Sequence, residues 1–518
     1  MLNLLFFVEN TETDKVRGIM INHMDDREEN ICLDSESFLK MKNLQILIIS
    51  DVIFTGNHVN YLSNELRLLD WDYCPLLSFP SNFNPKKLAV LRMHNRPRTL
   101  MEEIWQIFFG MPWSGMSPLG MILEIMQSLK FNKSEFFGLR KIRLLSRFPN
   151  LVDLNMSDCR NLVEVEIGFL KKLVNLDLGA CWKLEKLEIA EEMKSLKSLD
   201  LSYTAIKNLS SSSIGYLINL EQLTLRNCDE LTKVPTDNIF PTDSVQDSSL
   251  QDKQYDPHPL MVYLNECSNL VEIAEFPREI YGLDASGCHA LRTVSRLSNI
   301  LEGKESKMIP WMDLCGCDEL CRNLAADVGK MKKNLPDDSL VTALLSLFLS
   351  CRQSEFQVVF PGSEFPEWFT CRTDFERFLY PRDVDKKGFQ AYNFCIGFPQ
   401  DFKWENKGLA FCSQTKRDRF GVSYFRFHAI YINGVCIMKE SKLMKNRQWW
   451  FSCEHVWLYY VPFHTIIRRL GESGLPPPSI CLVKLEFEYQ TPEDHMGFVK
   501  QSRLREGSCG VYVVNARG

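Results

Sequence analysis

Leucines recur at a fixed period between residues 151 and 231. Successive segments begin 22, 23 and 24 residues apart, at Leu151, Leu173, Leu196 and Leu220. Each segment follows the form L-x-x-L-x-L-x-x-C, although Met156 takes the third leucine position of the first and Thr204 takes the last position of the third. This form and period are typical of leucine-rich repeats. The two leucines of L-x-L point to one face of a strand, so we expect one short strand per repeat and a parallel sheet that buries them.

The last position of each repeat is expected to be a small buried slot. A free cysteine behaves as a small hydrophobic residue, so stacking explains these cysteines without disulfides. We therefore predict buried thiols and a reducing compartment. The structural slot residues are Cys159, Cys181, Cys228, Cys267, Cys288 and Cys317.

A second set of positions lies four residues before each slot. Side chains there point away from the buried leucines, and stacking would align them in a column on the concave face, which repeat proteins commonly use for binding. Asp at this position could equally hydrogen-bond to its own turn, so both interpretations stay open. The candidate protein-binding residues are Asp70, Asn155, Asp177, Asp200, Thr224, Tyr263, Asp284 and Asp313.

The repeat pattern extends to both sides of these segments. Leading leucines recur upstream at a spacing of 22 residues, at Leu44, Leu66 and Leu88. Residues 100–135 fit no repeat register and predict an irregular insert. Three looser units follow a polar loop that begins after Leu231. Together these features predict a leucine-rich-repeat domain over residues 25–335.

Residues 352–518 have a different pattern. Short runs rich in β-branched and aromatic residues alternate with turns, and VKLEFEY alternates as a half-buried strand should. We predict an all-β sandwich there. Residues 336–351 predict a linker with a short buried helix, because the apolar run at 340–351 is too short to span a membrane.

The composition excludes several function classes. The net charge of −6 and pI of about 6.0 argue against a nucleic-acid partner. The motifs G-x-S-x-G, H-E-x-x-H and G-x-x-x-x-G-K-[ST] are absent. Cys315, Cys317 and Cys321 lack a second ligand pair at zinc-finger spacing. We therefore predict no catalytic residue, no cofactor, no metal and no membrane partner.

Several stretches carry a resemblance to a known family. TDKVRGIMI, SFLKMKNLQIL, LRLLDWDYCPLLSFPSNFNPKKLAVL, VVFPGSEFPEWFTCRT and CGVYVV resemble the C-terminal part of plant TIR-type nucleotide-binding leucine-rich-repeat disease resistance proteins. The resemblance implies an α/β leucine-rich-repeat solenoid, or horseshoe, followed by an all-β jelly-roll/Ig-like domain at 352–518. Residues 1–24 then resemble the exit from a nucleotide-binding module that is missing here.

The resemblance also implies a function. The chain would be the pathogen-effector recognition part of an intracellular plant immune receptor, located in the cytoplasm or nucleus. Its partner would be a pathogen effector or a guarded host protein. We expect no NAD hydrolase activity and no oligomerisation without the missing modules. One alternative is a leucine-rich-repeat substrate adaptor or scaffold, although no F-box is visible before residue 38. An enzyme within the sandwich is the other alternative, although no catalytic constellation supports it.

Overall fold

The structure is a computed structural model in which the chain divides into two compact units. The first comprises residues 1–270 and 274–280, and the second comprises residues 271–273 and 281–518. The repeat domain predicted from the sequence ends at residue 335, later than this division. The second unit therefore holds the last repeats as well as the predicted sandwich. The structure describes residues 15–22, 32–50, 53–55, 58–72, 74, 79–93, 141–142, 148–168, 170–189, 192–235, 260–276, 279–331, 339–362, 364–366, 368–369, 371–374, 387–398, 402–404, 407–415, 424–439, 454–490 and 507–514.

The first unit consists mainly of short strands. In chain order its elements are β1 (Gly18–Asn22), β2 (Cys32–Asp34), β3 (Ile46–Ser50), β4 (Ile53–Thr55), β5 (Leu68–Trp71), β6 (Val90–Arg92), β7 (Lys141–Ile142), β8 (Asp153–Asn155), β9 (Glu164–Ile167), β10 (Asn175–Asp177), β11 (Lys186–Ile189), β12 (Ser198–Asp200), α1 (Ser211–Gly215), β13 (Gln222–Thr224), β14 (Lys233–Val234) and β15 (Leu260–Tyr263). The main sheet is parallel, in the order β1-β3-β5-β6-β8-β10-β12-β13-β15.

The central leucine of each strand builds the buried side of this sheet. Leu154, Leu176 and Leu199 are in register and are at most 1% exposed. Their strand neighbours are half-buried or exposed, as the side-chain alternation of a strand requires. The predicted leucine-rich-repeat solenoid is therefore confirmed.

The insert predicted at 100–135 lies outside the described residues, but its flanks show where it enters the repeats. Val90 of β6 pairs with Asp153 of the adjacent repeat. Lys141 of β7 pairs with Glu164 in a second, smaller parallel sheet, β7-β9-β11. Strands β6 and β7 therefore belong to one repeat, and residues 100–135 lie between them in the sequence. The repeat that contains β6 and β7 still stacks on the repeat that contains β8 and β9.

The residue before each slot has a left-handed backbone. In the first unit φ lies between 53° and 63° at Asp158, Ala180, Tyr203, Asn227 and Glu266. The amide of this residue donates to the next repeat, as from Ala180 to the Ser202 oxygen at 2.7 Å. The sharp turn thus places the slot side chain inside the solenoid and also ties neighbouring repeats together.

The second unit begins with repeat elements and continues with longer strands. In chain order its elements are β16 (Glu272–Ile273), β17 (Ile280–Asp284), β18 (Thr293–Val294), α2 (Ser295–Leu301), β19 (Trp311–Asp313), α3 (Asp318–Met331), α4 (Leu340–Phe348), β20 (Phe356–Pro361), β21 (Cys371–Asp374), β22 (Lys387–Gly397), β23 (Gly408–Thr415), β24 (Tyr424–Ile432), β25 (Val435–Lys439), β26 (His455–Pro462), α5 (Phe463–Glu472), β27 (Ile480–Gln490) and β28 (Gly507–Val514).

Strand β20 belongs to two kinds of sheet. It pairs in parallel with β19, the last repeat strand, and antiparallel with β26. The antiparallel part continues through β23 and β28 to β21. Helix α4 lies where the sequence predicts a short buried helix, and its side chains are mostly buried. The repeats therefore pass directly into the antiparallel sheet.

A second antiparallel sheet faces the same core. Its order is β22-β27-β24-β25. Leu409 and Tyr459 of the first sheet share one hydrophobic cluster with Ile430 and Leu485 of the second. The segment is not all-β, because the ten-residue helix α5 also buries Phe463 and other apolar residues. No helix in the described part of the chain has the length and apolar character needed to cross a membrane.

Candidate protein-binding surface

The column proposed from the sequence is aligned within the first unit. Successive register pairs run through Asp70, Arg92, Asn155, Asp177, Asp200, Thr224 and Tyr263. In the second unit, Asp284 is in register with Asp313. Arg92 was not among the candidates, so the column is less acidic than the sequence analysis expected.

Many of the polar side chains in the column bond to their own turn. Asp177 Oδ1 accepts the Gly179 amide at 2.9 Å, and Asp200 Oδ1 accepts the Ser202 amide at 2.8 Å. An oxygen that accepts the amide two residues further on forms an Asx turn. The same bond is present at Asn155, Asp284 and Asp313. Of the two interpretations given in the sequence analysis, hydrogen bonding to the residue's own turn therefore applies to these five residues.

The eight candidate residues differ in how much of each side chain is exposed to solvent. Thr224, Tyr263, Asp284 and Asp313 are at most 5% exposed, so a partner could reach little of them. The Tyr263 ring also lies under the Arg226 guanidinium, 5.3 Å from its centroid. The candidates that keep solvent contact are Asp70, Asn155, Asp177 and Asp200.

Arg92 joins two acidic side chains at the edge of this column. Its Nη2 lies 2.6 Å from Asp153 Oδ2 and its Nη1 lies 3.9 Å from Asp70 Oδ2. The hydrogen bond with Asp153 raises the pKa of Arg92. The sequence analysis missed this residue because no slot cysteine follows the repeat of Leu88, so the count back from the slot could not be made.

A more open column lies two residues before the first one. It consists of the first strand residues of successive repeats, which are in register, and we call it the open face: Asp153, Asn175, Ser198, Gln222 and Met261. All of them are half-buried or exposed, and Asn175 is exposed. Side-chain alternation within each strand is the signal that could have identified these positions.

The slot cysteines are buried free thiols that connect repeats. Cys181 Sγ donates to the Met156 oxygen of the preceding repeat at 3.2 Å, and Cys267 Sγ donates to the Leu225 oxygen at 2.9 Å. Equivalent bonds are made by Cys159, Cys228 and Cys317. Burial raises the pKa of the Cys159 and Cys181 thiols, so these groups stay neutral.

The described residues show no grouping of three or more His, Cys, Asp or Glu side chains that could hold a metal ion. The zinc candidates Cys315, Cys317 and Cys321 are buried free thiols in and beside the last slot. The surface features described here are hydrogen-bonding side chains on a rigid sheet, which suit the binding of another molecule.

Comparison with known proteins gives several relatives, although no family model matches the chain. Disease resistance protein RPS4B of Arabidopsis thaliana is 22% identical over 571 aligned residues, covering 96% of this chain and 45% of that protein. Disease resistance protein RPP5 of the same plant is 36% identical over 131 residues, covering 25% and 8%. Disease resistance-like protein DSC2, also from that plant, is 31% identical over 156 residues, covering 29% and 11%.

The chain spans less than half the length of each of these relatives. Among solved structures, the functional domain of InlJ from Listeria monocytogenes matches with a TM-score of 0.25 and 16% identity, over 56% of this chain and 54% of that chain. All three sequence relatives are disease resistance or disease resistance-like proteins, and RPS4B aligns with nearly the whole chain. The chain is therefore related to the TIR-type nucleotide-binding leucine-rich-repeat disease resistance proteins of plants, and its match to RPS4B is consistent with a C-terminal leucine-rich-repeat portion.

Proposed function

We propose that this chain is the recognition part of an intracellular plant immune receptor. Its partner is a protein, either a pathogen effector or a host protein that the receptor guards. The relation to disease resistance proteins supports the role in defence. The observation that carries protein binding is the open face, an aligned column of half-buried or exposed side chains of which all but Met261 are polar.

The open face is well supported from beneath. Each of its strands has a fully buried leucine or valine as the next residue, such as Leu154 or Leu176. A surface held this firmly loses little conformational freedom on binding, which favours affinity. Asn175, Ser198 and Gln222 each offer both donors and acceptors. The face therefore suits a partner that is recognised by hydrogen bonds and shape.

In this proposal the antiparallel sheets after residue 352 form a C-terminal jelly-roll/Ig-like domain with a second contact surface. Its support is the outward side of β27, where Ile480 and Leu482 are 52% and 59% exposed. Apolar side chains that lie exposed side by side commonly mark interaction sites. NAD cleavage and oligomerisation belong to other modules of the whole receptor, and this chain needs no cofactor for its part.

The proposal places the chain in the cytoplasm or nucleus. Compartments of that kind keep thiols reduced. The buried slot cysteines support this placement, because each described one is a free thiol that donates to a backbone oxygen or lies within the solenoid core.

The test measures binding of the purified chain to a panel of purified pathogen effectors. The open-face variant carries Asn175→Arg and Ser198→Arg. The control variant carries Glu166→Gln and Glu185→Gln, which change net charge equally at exposed positions in and beside the second sheet. We expect the open-face variant to lose at least about tenfold in affinity, and the control to bind as the unchanged chain does.

Two results would contradict the proposal. Equal affinity of both variants would show that the open face is not the binding surface. Binding to purified ubiquitin-ligase subunits added to the same panel, with no effector bound at all, would favour the substrate adaptor instead. Circular dichroism of each variant checks that the fold is kept.

A further inference from the structure

One lateral edge of the first unit is strongly basic. In the seven repeats that begin at Leu44 to Leu220, the four residues from two before to one after the leading leucine include two carboxylates, Glu65 and Glu221, and eight cations, Lys42, Arg67, Lys86, Lys87, Lys171, Lys172, Lys194 and Lys197. These positions therefore carry a net charge of +6, within a chain whose net charge is −6. All eight cations are exposed.

Hydrogen bonds between repeats hold these positions in line. The Asn150 side chain donates to the Lys86 oxygen at 2.7 Å. Ser195 donates in the same way to the Lys171 oxygen at 2.8 Å, and Asn219 donates to the Lys194 oxygen at 2.7 Å. Ser63 likewise donates to the Lys42 oxygen at 2.7 Å. We call the four lysines whose backbone is fixed in this way, Lys42, Lys86, Lys171 and Lys194, the lysine rim.

The lysine rim has a defined length. Its members begin the repeats of β3, β6, β10 and β12, which lie two, two and one strand positions apart in the main sheet. Parallel strands are about 4.8 Å apart, so the rim extends over about 24 Å. Lys42, Lys86 and Lys171 have no acidic partner among the described residues, while Lys194 lies 3.3 Å from Glu192. Most of the rim charge is thus available to a ligand.

We propose that the lysine rim binds an acidic segment of a protein, extended along the repeats. This surface is distinct from the open face, so the inference goes beyond the proposed function. An extended segment of about eight residues covers about 24 Å, and acidic residues spaced three apart recur about every 10 Å, as the first three rim lysines do. Lysine stems are flexible, so small differences in spacing are accommodated.

The surroundings of the rim favour a narrow polypeptide over a broad polyanion. Acidic side chains of the strands lie only a few residues further along each repeat, at Asp153, Asp177 and Asp200. A membrane surface or a nucleic-acid duplex is wide enough to bring phosphates over these carboxylates as well, which is repulsive. A single extended strand can follow the lysines alone.

The test uses the full chain and a fluorescein-labelled poly-glutamate peptide of about ten residues, which is long enough to span the rim. Fluorescence anisotropy measures its dissociation constant at increasing salt. We expect binding that weakens steeply with salt, because exposed charges are screened. The rim variant Lys86→Glu, Lys171→Glu and Lys194→Glu should weaken binding by at least about tenfold.

A matched control separates the rim from net charge. The variant Lys183→Glu, Lys207→Glu and Lys304→Glu changes the net charge equally at exposed lysines outside the rim. It should bind the peptide within about threefold of the unchanged chain, since distant exposed charges are largely screened. An equal loss in both variants would overturn the proposal, because binding would then follow total charge.

Binding to two other polyanions tests whether the ligand of the lysine rim is a polypeptide. Vesicles that contain phosphatidylserine and a mixed-sequence DNA duplex are tested at the same salt. Tighter binding to either one than to poly-glutamate, lost in the rim variant, would overturn the proposal in favour of that surface. If the rim variant does not fold, as judged by circular dichroism, the milder set Lys86→Gln, Lys171→Gln and Lys194→Gln replaces it. Undiminished peptide binding by that set would equally overturn the proposal.

Discussion

At the scale of single residues, the turn before each slot is the most constrained part of a repeat. Its left-handed backbone is occupied by glycine at Gly287 and Gly316 and by other residues earlier in the chain. The sequence indicates this conformation only at the glycines and at Asp158 and Asn227, which favour it. Ala180 and Tyr203 carry no such signal, because their conformation is imposed by stacking and not by local preference.

Gly316 provides a direct test of that constraint. Its φ is 77°, and an added Cβ would lie 3.3 Å from the Cα and N of Gly287 in the preceding repeat. We expect Gly316→Ala to lower the free energy of unfolding by about 1–2 kcal/mol, because backbone atoms cannot easily move aside. The control is Gly329→Ala in helix α3, where nothing lies within 4 Å of the added atom.

The control should raise the free energy of unfolding by about 0.5–1 kcal/mol, since alanine favours a helix over glycine. Urea unfolding measures both variants. A Gly316→Ala protein as stable as the unchanged chain would contradict the constraint.

The slot thiols provide a second test at this scale. Cys181 fills a buried site and its thiol also donates to the Met156 oxygen. Thr204 fills the same slot in its repeat, and its hydroxyl donates to the Leu201 oxygen of its own repeat at 2.7 Å. Cys181→Thr and Cys181→Val have nearly the same shape and differ in the donor. We expect the valine variant to be less stable than the threonine variant by about 1 kcal/mol in urea unfolding, because valine offers no donor to any backbone oxygen at the slot.

The opposite order of stability would show that the slot requires only apolar volume. Sequence analysis could place the thiols in the slot, because their spacing follows the leucines. It could not identify the hydrogen bond, because the acceptor belongs to a different repeat.

At the scale of elements, periodicity predicts strands better than it predicts the short helix α5. The strands repeat a pattern many times, whereas α5 has ten residues and a single apolar side. Long-range contacts also stabilise it. Arg469 on α5 contacts Glu355 Oε2 at 2.8 Å and the Ile437 oxygen at 2.7 Å, and Tyr459 donates to Glu355 Oε1 at 2.5 Å. Sequence spacing gives no hint of these partners.

This network predicts unequal roles for two adjacent arginines. Arg469→Met should lower the free energy of unfolding by about 1–3 kcal/mol, because Glu355 and the Ile437 oxygen lose a charged donor. Arg468→Met is the matched control. Arg468 meets Glu472 only at 3.9 Å, and both side chains are 68% exposed.

The control should change stability by less than about 0.5 kcal/mol, as exposed ion pairs contribute little. Chemical unfolding followed by tryptophan fluorescence measures both. Equal effects of the two substitutions would mean that the network does not stabilise α5.

At the scale of the whole molecule, the change of pattern near residue 352 reflects a real change from parallel repeats to antiparallel sheets. In the sequence analysis, this change of pattern is interpreted as a boundary between two domains. Within the second unit, β20 instead joins the two architectures, because it pairs with both β19 and β26. The run FQVVFP is apolar throughout and resembles any buried strand. Its two partners depend on segments that lie far apart in the sequence, so its position could not be inferred.

The joining strand predicts what happens when the chain is truncated after Cys351. Strand β19 then loses the bonds from Leu314 N to Val359 O and from Gln357 N to Pro310 O, both 2.8 Å. Its free edge can pair with other chains. We expect fast amide exchange at residues 311–314 and concentration-dependent aggregation, measured by hydrogen–deuterium exchange and light scattering.

Strands β8 and β10 provide the internal control for this truncation. Repeat proteins are stabilised mainly by contacts between neighbouring repeats, so amides at residues 153–155 and 175–177 should keep their protection. Slow exchange at 311–314 in a monomeric truncated chain would show that the repeats end independently at β19. Loss of protection at all three sites would show instead that the segment after Cys351 is required for the repeats to fold.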